Sequence, residues 1–185
     1  MITAIKEDAK TIEKSDTALI KDAPSHGHLE LCSIILSAYN NLLPVIGDRD
    51  STLEFISKAM MDGINNISMQ SSLALMLKAC KDNPDRLRSI FSWLMEQYGT
   101  TFEWTSPHEE NEEEDSFSIE VYKCFYFNFF KSHGVPFLTP ILCQLDSLWF
   151  DMVNPQKHGF YFDKTRYRTQ GYGAPKCVFP IVQEK

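Results

Sequence analysis

The chain has no run of eighteen or more apolar residues, so the sequence alone offers no continuous membrane span. Positive charge is also scarce. Lys and Arg number 18 against 25 Asp and Glu, a net charge of −7. Nucleic-acid binders normally carry a basic stripe and membrane-surface proteins a polybasic cluster, so this balance argues against both. Cysteine is sparse: Cys32, Cys80, Cys124, Cys143 and Cys177 are odd in number and widely spaced. Met1 to Lys21 mixes charged residues with short aliphatics and lacks an apolar core and a small-residue cleavage site, which predicts no signal peptide. Together these features predict free thiols and a cytoplasmic protein rather than a disulfide framework. No GxSxG, HExxH, Walker or Rossmann fingerprint occurs, and no two histidines stand at helical metal-ligand spacing.

What is present describes an ordinary globular chain. Its 185 residues are 43% hydrophobic and include 13 Phe. A chain of this length buries roughly 70% of its unfolded surface and folds without a metal or disulfide staple. Residues 1–25 read as a polar, solvated arm with room for one short helix, and 26–185 as one domain. Apolar residues from Leu29 to Leu43 recur at threes and fours, the mark of a buried helix that Pro44 and Gly47 end. Asp50-Ser51 can cap a second helix. A third runs through Leu73 to Ala79, and a fourth starts at Asn83-Pro84 and stops at Gly99.

Alternation then takes over. Residues 101–105 and 117–123 read as strands flanking an acidic loop, 107–116. An aromatic helix over 125–133 and a helix opened by Pro136 and Pro140 follow. Two more strands are predicted, Gly159 to Arg168 and Cys177 to Val182. The expected fold is α+β: an N-terminal helical half packed on a C-terminal antiparallel sheet with inserted helices.

Candidate chemistry lies in the second half. Cys143 and Asp146 stand three apart on one predicted helix and share a face. Cys124 ends a predicted strand and Cys177 begins the last one. Arg166 and Arg168 share a strand face at period two. Each has a bland reading beside the functional one. A free cysteine packs as a small hydrophobe, Asp146 could pair with an arginine, and the arginines could be a solvated face. A zinc site from Cys124, Cys143 and Cys177 lacks the close ligand pair of structural zinc, so no metal or other cofactor is expected. The histidines, His26 and His28 among them, fall in polar or turn contexts.

The segments Cys124-Phe125-Tyr126, Gly134-Val135-Pro136, Leu142-Cys143-Gln144-Leu145-Asp146 and Cys177-Val178-Phe179, with a glycine near 171, resemble the core pattern of the L-2-amino-thiazoline-4-carboxylic acid hydrolase family. Val178 stands where members often carry Asp, and the family's strand arginine falls among Lys164, Arg166 and Arg168. The resemblance implies hydrolytic opening of a small cyclic amidine carboxylic acid. Such a reaction needs a nucleophile, a proton carrier and a cation for the substrate carboxylate. On this reading Cys143 is the leading nucleophile, Asp146 the acid–base group, Cys124 and Cys177 share the pocket, and Arg166 or Arg168 holds the carboxylate. The partner is a small molecule, with neither nucleic acid nor membrane involved and homo-oligomers left open. The rival readings are a cyclase or condensation enzyme on the same scaffold, a thiol-ligated metal enzyme and a non-catalytic binding module.

Overall fold

The computed structural model describes residues 1–64, 76–80, 83–111 and 114–184. Apolar positions 2, 5, 9 and 12 recur at helical spacing, and Ile2–Ser15 forms α1. This helix packs on α2 (Ala23–Ile46), burying Ala9, while the Ser37 hydroxyl donates to the Ile5 carbonyl at 2.8 Å. The polar arm expected at 1–25 is therefore a packed helix plus the start of α2.

Asp22 caps α2 by accepting from the Ser25 N–H, and the Ser25 hydroxyl accepts in turn from the Asp22 N–H. This reciprocal cap starts the helix six residues before Leu29, the first of the periodic apolar residues. Pro44 lies inside its last turn, and Gly47, at φ 80°, ends it. By length and composition alone α2 is apolar enough to cross a membrane. Here it carries Leu29, Cys32, Ile35, Leu36 and Tyr39 into the core.

Helix α3 is Arg49–Ile64, capped from Asp48 rather than Asp50. Most of the helix expected through Leu73 to Ala79 lies outside the described residues. Helix α4, Pro84–Glu96, starts under the Asn83 cap as its sequence predicts.

Strands β1 (Glu103–Asn111) and β2 (Glu114–Lys123) carry the hairpin ladder into the segment expected to be an acidic loop. Helices α5 (Phe125–Ser132), α6 (Thr139–Asp151) and the single turn α7 (Pro155–His158) precede β3 (Phe160–Phe162) and β4 (Cys177–Gln183). The sheet is antiparallel, in the order β1-β2-β4-β3. The architecture is thus α+β, with N-terminal helices followed by a C-terminal antiparallel sheet.

Register decides what meets what. Phe117, Ile119 and Val121 of β2 pair with Ile181, Phe179 and Cys177 of β4, and all six are buried, so one face of both strands turns inward. Above that face Phe150 of α6 stacks on Phe91 of α4 at 4.9 Å and on Phe179 at 4.4 Å. Stacks of this kind add about 0.5–1.5 kcal/mol each beyond area burial. They clamp α6 and α4 to the sheet beside Cys177.

Strand β3 is shorter than expected. After Phe162, Asp163 accepts from the Thr165 N–H at 2.9 Å and from its hydroxyl at 2.6 Å, which turns the chain away. Arg168 rejoins the sheet only through an isolated bridge to Val178. The common strand face predicted for Arg166 and Arg168 does not form, because this side-chain-capped turn replaces the strand.

Candidate active site

Three elements converge on one cavity. Helix α6 brings Asp146 and Trp149, β4 brings Cys177, and the junction of β2 with α5 brings Cys124, three residues beyond the Val121–Cys177 pair. Leu94, Met95 and Tyr98 come from the end of α4 and the turn after it. Phe102, Val121, Phe150 and Phe179 complete a largely apolar wall. The cavity measures about 20 Å³, room for about one water. Among the described residues no Lys, Arg or His lines it.

Asp146 is held by Tyr98, whose hydroxyl donates to one carboxylate oxygen at 2.9 Å. The Trp149 side chain lines the same wall beside them. Part of Asp146's surface remains accessible, yet the crowd of groups around it desolvates the charged form and pushes its carboxyl up to about 7, against which the Tyr98 bond pulls. Burial likewise drives the thiols upward. Cys177 reaches about 12, with the Gln170 N–H, 3.4 Å from its sulfur, working the other way. Cys124, at the N-cap of α5, is pushed well above the usual thiol range by burial and by the charge of Cys177.

Cys143 sits differently. Its sulfur lies under Gly171, where an added Cβ would come within 2.7 Å of it, and it is not among the cavity's lining residues. Burial raises its thiol to about 11. The neighbouring Thr169 hydroxyl, itself buried without a hydrogen-bond partner among the described residues, and the Gly171 N–H pull the other way. The Tyr167 hydroxyl donates to the Cys143 carbonyl at 3.0 Å and ties α6 to this loop.

The structure therefore gathers Cys124, Asp146 and Cys177 around one hollow and sets Cys143 just behind it. It does not bring the two arginines there. Arg166 is exposed and bound to Asp163 at 2.7 Å, and exposed Arg168 donates to the carbonyls of Thr165 and Tyr167. Among the described residues no three His, Cys, Asp or Glu side chains stand where they could share a metal ion.

Sequence reasoning missed Tyr98, Trp149 and His28. His28 is enclosed by Tyr98, Phe102, Phe125 and Tyr126 rather than lying in a polar turn. Its Nε2 is 3.0 Å from the Tyr98 carbonyl, which can only accept, so that nitrogen carries the hydrogen. The Tyr126 hydroxyl then donates to Nδ1 at 2.9 Å. Burial lowers the pKa of His28 and favours this neutral form. His28 thus fixes the backbone of the residue that holds Asp146. The signal available in the sequence was an aromatic at 98 closing an amphipathic helix; its partner lies 48 residues away.

Comparison with curated proteins and with solved structures gave no match. The family model described as L-2-amino-thiazoline-4-carboxylic acid hydrolase matches residues 31–181, which include α4, α6, the sheet up to Ile181 and every cavity residue named above. The chain belongs to the L-2-amino-thiazoline-4-carboxylic acid hydrolase family.

Proposed function

We propose that this chain hydrolyses a small cyclic amidine of the thiazoline type, with Asp146 moving the proton and a cavity-facing thiol attacking the ring. The observation that carries this reading is a carboxyl held near 7 in the wall of a small cavity that it shares with two thiols. An acid–base group works best when its pKa lies near the working pH, and contributes about 10²–10⁴-fold.

The choice between thiol and water as attacking group rests on magnitudes. Delivering a proton from Cys177, at about 12, to Asp146, at about 7, is uphill by about five powers of ten. Delivering one from bulk water, at about 15.7, is uphill by about nine. The thiol is favoured, and the Gln170 N–H stabilises charge developing on the Cys177 sulfur. Cys124 shares the cavity but is deeper in apolar surroundings.

As the Cys177 sulfur bonds to the ring carbon between nitrogen and sulfur, its proton passes to Asp146. Asp146 returns that proton to the ring heteroatom that leaves, and the ring opens. Water then cleaves the link to Cys177, and its proton restores the thiol by way of Asp146. The net change is addition of one water. The same groups run in reverse would close a ring, and product masses decide the direction.

A second reading keeps Cys143 as nucleophile. It is favoured by the smaller rise of that thiol and by the Gly171 N–H beside it. Ring opening of 2-aminothiazoline compounds, followed by mass, tests both. Cys177→Ser should lose about 10²-fold or more in kcat/KM while Cys143→Ser stays within about tenfold. The opposite ranking moves the nucleophile to Cys143. No ring opening by the wild-type protein overturns the hydrolase reading.

A further inference from the structure

The cavity has a definite charge preference. Among the described residues its lining holds one carboxyl, Asp146, and no cationic side chain, while Tyr98, Phe102, Trp149, Phe150 and Phe179 surround it with aromatic groups. Aromatic faces attract cations and a carboxylate attracts them more, whereas a second carboxylate brought here would be buried without a partner. The two arginines that the sequence offered for a substrate carboxylate are engaged elsewhere: Arg166 with Asp163, Arg168 with backbone carbonyls. Size points the same way. With room for about one water, each further substrate atom requires lining side chains such as Leu94 and Met95 to move aside.

Resting on the hydrolase reading above, we infer that this chain takes cationic cyclic amidines that bear no carboxylate, in contrast to the amino acid-derived ring in the family's name. The protonated amidine faces Asp146 and lies among the aromatic side chains. Protonation also makes the ring carbon more electrophilic, so the form the cavity selects is the form that reacts.

The test compares 2-aminothiazoline with 2-aminothiazoline-4-carboxylate on the full chain. Turnover is read as kcat/KM by product mass, and binding by calorimetry on wild type and Asp146→Asn. The expected result is a preference of about tenfold or more for the ring without the acid, a difference of about 1.4 kcal/mol. In Asp146→Asn the binding preference should shrink, because the carboxylate that faces the amidinium is gone. Preference for the carboxylate in both turnover and binding overturns the substrate inference and leaves the hydrolase reading standing. Selective binding of the cation without turnover does the reverse. Binding of neither compound overturns both.

Discussion

Asp22 and Asp146 are the same side chain treated in opposite ways. Asp22, at the start of α2, accepts from the Ser25 N–H at 2.8 Å and, at 2.7 Å each, from the Thr100 N–H and hydroxyl. These donors, led by the Thr100 N–H, hold its carboxyl well below the usual range. Asp146, in the wall of the cavity, has one hydrogen bond among the described residues and is pushed up to about 7 by desolvation. The first carboxylate is fully supplied with donors and serves to join α2 to the turn between α4 and β1. The second is left under-supplied, and that shortage makes it able to gain and lose a proton near neutrality. The structural aspartate and the proposed acid–base aspartate differ here in how far they are desolvated and in the number of donors aimed at them.

Asp146→Asn breaks the comparison most severely. Ring-opening kcat/KM should fall by about 10²–10⁴-fold. Stability should move the other way. A carboxyl whose folded pKa lies above its unfolded value loses stability as pH rises from about 4 through about 7. The variant should therefore be more stable than wild type at pH 8, by on the order of 4 kcal/mol at most, and melt higher there. That gain should vanish by pH 4 in thermal melts across the range.

Gly99→Ala attacks the other aspartate. Gly99 has φ 74°, and a Cβ there would meet the Asp22 carboxylate at 2.7 Å. Denaturant unfolding should show a loss of at least about 1–2 kcal/mol from the backbone conformation alone, with kcat/KM of the folded protein unchanged. Tyr98→Phe sharpens the contrast by removing the donor that Asp146 has. Its carboxyl should rise further, moving the acid limb of the kcat/KM profile upward from about 7. Activity at pH 7 should drop several-fold and recover at higher pH, which a purely structural loss would not do.

The mildest effect is expected from Asp22→Asn. Its folded pKa is depressed, so the charged form stabilises the fold above the unfolded value and ceases to do so as pH falls through the folded one. The melting-temperature difference from wild type should be largest near neutrality and shrink in acid.

The helical half followed by an antiparallel sheet was legible because apolar spacing changes from threes and fours to twos at residue 101. The gathering of Cys124, Asp146 and Cys177 was legible only through the family pattern, since the register pairing Val121 with Cys177 is a long-range choice. Tyr98 was legible only as an aromatic closing the fourth helix, because its bond to Asp146 depends on where α4 ends relative to α6. The arginines illustrate how a local competitor defeats a periodic pattern. Period two placed them on one strand face, but Asp163 captured Thr165 and Arg166 and turned the chain first. The amphipathic spacing of Ile2, Ile5, Ala9 and Ile12 was visible, and its charged neighbours masked it as a solvated arm.

The central claim is that Asp146 exchanges a proton near neutrality. The most direct measurement is a carbon NMR titration of the aspartate side-chain carboxyls in the intact protein, with Asp146 assigned by its disappearance in Asp146→Asn. A midpoint near 7 is the predicted result. A midpoint at or below the ordinary carboxylate value of about 4 would contradict it and remove the acid–base group from the proposed chemistry.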